Sequence, residues 1–198
     1  MMRIVVGSVI AGIIAGLYLL PPVWQNATDS VLTIGLCLLL FFVGVDIGRE
    51  GKALENLKAA GFRILLLPVA VVLGSYAGAL LASLMLPVSA LESILISSGF
   101  GWYSLAPIMI AEKSAELSAI AFLHNVFRES FGIILIPFVA QYIGFVETIS
   151  LPGAAAMDVC LPIVEKSTNG TIAIYSFISG LLISIFVPIS VGFLLQIL

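Results

Sequence analysis

Residues 117–139 form an apolar run long enough to cross a bilayer, and its middle carries Asn125, Arg128 and Glu129. Residues three and four apart share a helical face, so the three read as one polar stripe near the centre of a membrane. A charge at that depth costs at least about 2.5–3.5 kcal/mol on insertion scales, and it is kept where it faces a partner or a water-filled cavity. The stripe therefore marks a transport site. The plainer alternative is an Arg128–Glu129 pair that only holds helices together, but His124 and Asn125 add more polarity than that role needs.

Composition agrees with a membrane solvent. Hydrophobic residues make up 61% of the 198 positions and charged residues only 10%, whereas about a quarter of an ordinary soluble domain is charged. The chain reads as an all-α, polytopic integral membrane protein. A net charge of −3 is too small to imply a nucleic-acid partner. Cys37 and Cys160 lie in apolar segments without metal or disulfide spacing, and His124 is the lone histidine. No metal site is expected, and no nucleophile with a general base appears in any span, so the chain does not read as an enzyme.

Apolar windows of about 20 residues place the spans. They cover residues 4–20, 31–48 and 62–86, then 117–142 and 172–195. Two further elements are irregular. In the first, apolar residues 91–98 and 106–111 are separated by glycines on both sides of Phe100, which predicts a discontinuous helix broken near mid-membrane. In the second, residues 151–162 hold Asp158 among apolar neighbours, with Pro152 and Pro162 near its ends. The total is about seven membrane elements, two of them discontinuous. One transporter domain divides into a three-helix, repeat-like unit (residues 1–87) and a core with the broken helices (residues 88–198).

Basic residues give an orientation. Of the eight lysines and arginines, all but Arg128 fall on one side if each element crosses once: Arg3, Arg49, Lys52, Lys58, Arg63, Lys113 and Lys166. The positive-inside rule makes that side cytoplasmic, with the N-terminus inside and the C-terminus outside the cell membrane. Backbone that leaves the helix at membrane depth is tolerated where it lines a cavity or is buried in protein. Secondary transporters use such breaks to meet a substrate. A channel is the alternative, but no filter repeat or ring-forming charge pattern is present.

At these same residues the sequence resembles the lysine exporter (LysO-type) family. The matching strings are FFVGVDIG at 41–48, SGFGWYSL at 98–105, FLHNVFRE at 122–129, GAAAMD at 153–158 and LPIV at 161–164. The resemblance implies export of L-lysine or related basic amino acids, and an inverted-repeat transporter fold. Longer relatives carry about three more helices ahead of the matching part. The family reading therefore implies either a homodimer or a partner with a small three-helix membrane subunit. Where relatives can have Asn-Asp before the Arg-Glu pair, this chain has His124-Asn125.

Lysine brings two ammonium groups and one carboxylate. Glu129 and Asp158 are the candidates for the ammonium groups, with Trp102 covering one by a cation–π contact worth roughly 0.5–2 kcal/mol. The backbone at Gly101, Trp102 and Tyr103 and the Ser104 hydroxyl are candidates for the carboxylate. Arg128 can also meet that carboxylate or hold Glu129 ionised, and Asn125 completes the stripe. Asp158 can equally cap its helix, and Asp46 can equally pair with Arg49. No nucleotide-binding loop is present and no cofactor is expected, so exchange against a proton or a sodium ion is the economical energy source. Two rival readings stay open: a sodium-coupled importer of small organic anions, and a non-catalytic membrane subunit of a larger complex.

Overall fold

The computed structural model describes residues 61–198 continuously, with single helical positions between residues 11 and 55. The expected spans at 4–20 and 31–48, the Arg49–Lys58 loop and Asp46 fall outside the continuously described part. The described residues are mostly helical, without a strand. Among the described residues three helices are long and apolar enough to cross a membrane. We label them with the shorter ones in chain order: α1 (Leu66–Ser83), α2 (Ala90–Ser97), α3 (Ala106–Ala111), α4 (Ala115–Tyr142), α5 (Leu161–Ser167) and α6 (Gly170–Ile197). Tight 3-10 turns occupy Gly61–Leu65, Val146–Ser150 and Gly153–Met157.

Local chemistry sets the ends. Ser89 and Glu92 form a reciprocal capping box at the start of α2, each side chain bonded to the other's backbone N–H. Ser114 accepts from the Leu117 N–H at the start of α4, and Asn169 accepts from the Ile172 N–H at the start of α6. Pro107 sits in the first turn of α3, and a proline also lies within the first two positions of α5, where a missing N–H costs nothing. Pro137 and Pro188 lie inside the two longest helices, a placement that membrane helices tolerate better than soluble ones.

α1 and α2 form an antiparallel hairpin, α3 and α4 form the next, and α6 packs against α1, α3 and α5. α1 runs alongside α6, with the Tyr76 and Ser190 hydroxyls in contact, and Met109 of α3 packs near Gly192, late in α6, so the α1–α2 and α3–α4 connections share one end of the bundle. Lys113, between α3 and α4, lies at that end, whereas Lys166, in the last turn of α5 just before α6 begins, lies at the other with the end of α4. Leu66, Leu73, Leu81, Phe127, Phe131 and Phe193 project outward, as side chains bathed in lipid do. The core gathers Leu95, Phe100, Ile110, Ile183, Val187 and Val191 around the break after α2.

A break lies between α2 and α3 as expected, but α3 does not continue the crossing: it turns back toward the α1–α2 end, where Met109 packs near Gly192. The second irregular element differs from expectation: Gly153–Met157 winds as a 3-10 helix instead of unwinding. Its compactness follows from its neighbour. α6 presents the small residues Ala173, Ser176, Gly180 and Ser184, and the 3-10 turn lies along them. Ser176 donates to the Ala156 carbonyl at 2.8 Å. A Cβ on Gly180 would come within 2.6 Å of the Met157 nitrogen, so glycine is what lets the two backbones touch.

Candidate functional site

The two broken segments cross. The Ala154 N–H donates to the Phe100 carbonyl at 2.8 Å. Phe100 and Gly101 turn the chain through positive φ (46° and 99°), and Gly153 does the same opposite them (66°). A bulky residue such as Phe100 rarely adopts this region, at a cost of order 1–3 kcal/mol. Its ring is fully buried against Tyr76 and Phe186, with centroids at 5.4 and 6.0 Å, which holds the strained turn in place. Gly101 is obligatory for a second reason: a Cβ there would sit 2.5 Å from the Pro152 carbonyl oxygen.

Asn125 ties this crossing to α4. Fully buried, it accepts from the Gly101 N–H and donates to the Ala121 carbonyl, both at 2.7 Å. Its side chain is thus a structural clamp on the first break. The Trp102 N–H donates to the Gly99 carbonyl and the Tyr103 N–H to the Gly101 carbonyl. The backbone donors at 101–103, expected to receive a carboxylate, are therefore already satisfied, that of Gly101 by Asn125 and the other two within the turn.

Against the crossing lies a small cavity of about 90 Å³. Glu129 and Asp158 both line it, with Gly101, Trp102, Tyr103 and Ser104 from the first break and Ser184 from α6. One oxygen of Asp158 accepts from the Val159 N–H at 2.7 Å, so Asp158 caps its turn while still bordering the cavity. Glu129 is half-buried and has no hydrogen-bond partner among the described residues. Ser104 accepts from the Trp102 indole N–H at 3.0 Å and keeps its own hydroxyl proton to donate. The Tyr103 ring packs edge-on to Phe122, 6.2 Å between centroids. A wider cavity shares Tyr103 and Ser104 and runs along α3 and α4 past Ala111 and Ala115, toward the Lys113 end.

Arg128 is not part of this cavity. Its Nε donates to the Leu151 carbonyl at 3.0 Å, Nη1 to the Ser75 hydroxyl at 2.8 Å and Nη2 to the Ser150 carbonyl at 3.2 Å. Glu129 is not among its partners. The reason is helical geometry: successive residues lie about 100° apart at 3.6 residues per turn. The expected single stripe therefore fans out. Asn125 points into the crossing, Glu129 borders the small cavity, and Arg128 reaches across to α1 and the second break. Ser75, Ser184 and the small face of α6 were not singled out from sequence. The α6 face was readable as small residues at helical spacing.

Among the described residues no group of histidine, cysteine and carboxylate side chains is arranged to hold a metal ion. A family model described as lysine exporter LysO matches residues 6–195. Lysine exporter LysO of Escherichia coli K12 is 30% identical over 85% of this chain, which spans only 56% of that protein's length. A putative lysine exporter of Haemophilus influenzae is 28% identical over 97% of both chains. No solved structure matches.

Proposed function

The chain belongs to the lysine exporter LysO family, and from that premise we propose that it carries L-lysine out of the cytoplasm by alternating access. One observation carries the reading: two carboxylates, Glu129 and Asp158, border a single cavity where two broken segments cross. An ammonium group at membrane depth needs anionic partners, and this cavity supplies two carboxylates. Trp102 and Tyr103 offer aromatic faces to the cation or its aliphatic stem, and the Ser104 hydroxyl offers a donor.

Coupling is to a proton or a sodium ion, with Glu129 or Asp158 exchanging it for the ammonium group. The end of the bundle where α1 begins, after Arg63, and where Lys166 lies is the cytoplasmic one under the positive-inside rule, so the passage past Ala111 and Ala115, at the Lys113 end, is the exit route. The first three spans complete the transporter by pairing with a second copy of the chain or with a small three-helix subunit, in an inverted-repeat arrangement.

Flux direction separates this from import of organic anions. Inside-out membrane vesicles carrying the protein should accumulate labelled lysine when a proton or sodium gradient is imposed, and should ignore labelled succinate. Succinate movement with no lysine movement would establish the importer instead.

A further inference from the structure

A second, larger cavity of about 650 Å³ lies on the other face of α4, within the range of sites that enclose small organic ligands. It extends from Arg128 to Ala82, Leu86 and Val88 at the α1–α2 end of the bundle. We propose that this cavity is a binding site for a carboxylate group, held by the Arg128 guanidinium.

Charge and hydrogen bonding point there together. Among the described residues every partner of Arg128 is a neutral oxygen, from Ser75, Ser150 and Leu151. A guanidinium has five N–H donors, and three bonds leave donors over. Among the described residues no aspartate or glutamate lines the cavity, while Ser93 and Ser97 do. His124, one turn before Arg128 on the same face, also lines it, and its Nε2 is buried without a hydrogen-bond partner. A planar, forked cation with spare donors matches a carboxylate better than a spherical ion.

The opposite cavity strengthens the assignment. The backbone donors at Gly101, Trp102 and Tyr103 are used by Asn125 and by their own turn, and Glu129 and Asp158 repel an anion. The carboxylate site is thus separate from the cationic-group site, with the Phe100–Ala154 crossing between them. The source is either the α-carboxylate of the transported amino acid or a separate small organic acid.

Thermal unfolding of the purified chain in detergent, titrated with sodium acetate against sodium chloride at equal ionic strength, reads the site. Acetate should raise the midpoint saturably and chloride should not. Arg128 also braces α1, so its replacement risks misfolding, and Gly78→Leu serves as the second variant. Gly78 lines the cavity and a Cβ there meets nothing within 4 Å, so leucine fills the space without strain. Gly78→Leu and Arg128→Lys should each weaken the acetate response at least tenfold, whereas Glu129→Gln should keep it even if lysine transport fails. Competition assigns the source: lysine displacing acetate while 1,5-diaminopentane does not means the amino acid's own carboxylate, and acetate binding untouched by lysine means a separate acid. Equal responses to acetate and chloride, or an undiminished response in Gly78→Leu, would overturn the site.

Discussion

Glu129→Gln should reduce lysine efflux roughly 10–100-fold, with the protein still present in the membrane. The expected size follows from a hydrogen-bonded charge interaction of about 1.5–3 kcal/mol, at one decade per 1.4 kcal/mol. Glutamine keeps the length and volume of the side chain and removes the charge that would hold an ammonium group or a proton. Folding should not suffer, because Glu129 has no hydrogen-bond partner among the described residues to lose. Cells fed a lysine-containing dipeptide, with protein measured in the membrane fraction, give the readout. Glu112→Gln is the matched control. Glu112 is exposed after the end of α3 beside Lys113, and its loss should change efflux less than twofold, on the scale of surface charges worth about 0–1 kcal/mol. Adding Arg128→Met to Glu129→Gln should not rescue efflux. The two side chains serve different cavities, so neutralising both restores nothing.

Gly153→Ala should be the most damaging single substitution to the fold of the core. The position has φ +66°, and an added Cβ would run into the Phe100 carbonyl oxygen, the acceptor that joins the two breaks. Backbone strain of order 1–3 kcal/mol adds to overpacking of similar size. The summed cost of roughly 2–6 kcal/mol is a large share of a typical folding free energy of about 5–15 kcal/mol. The expected result is a lowered unfolding midpoint in detergent and loss of efflux together. Gly78→Ala, at an open helical position of α1, should leave both near the parent values.

Much of this architecture is written locally in the chain. Residues 117–142 announce a spanning helix, and Ser114 adds the cap that starts α4 at Ala115. Glycines around Phe100 announce the first break. The second break was legible as an interruption but not as a 3-10 helix, because its conformation depends on α6, more than 20 residues later, offering Gly180 and Ser176 as a groove. The positive φ of Phe100 was hidden for a similar reason: what stabilises it is tertiary packing by Tyr76 and Phe186. The same holds for Arg128. Sequence adjacency suggested Glu129 as its partner, whereas the hydrogen bonds go to Ser75, 53 positions away, and to carbonyls at 150 and 151. Asn125 was readable as a buried polar residue of the core helix, but its role as a clamp on Gly101 required the fold.

The central claim is that the cavity between Glu129 and Asp158 receives a cationic group of the transported amino acid. Equilibrium binding of labelled L-lysine to the purified protein, competed with norleucine, tests it most directly. Norleucine shares the α-amino and α-carboxyl groups and the aliphatic stem but lacks the ε-ammonium. Binding that unlabelled lysine displaces, that norleucine leaves in place, and that both Glu129→Gln and Asp158→Asn weaken at least tenfold is the predicted result. Lysine binding that persists at parental strength in both variants would contradict it.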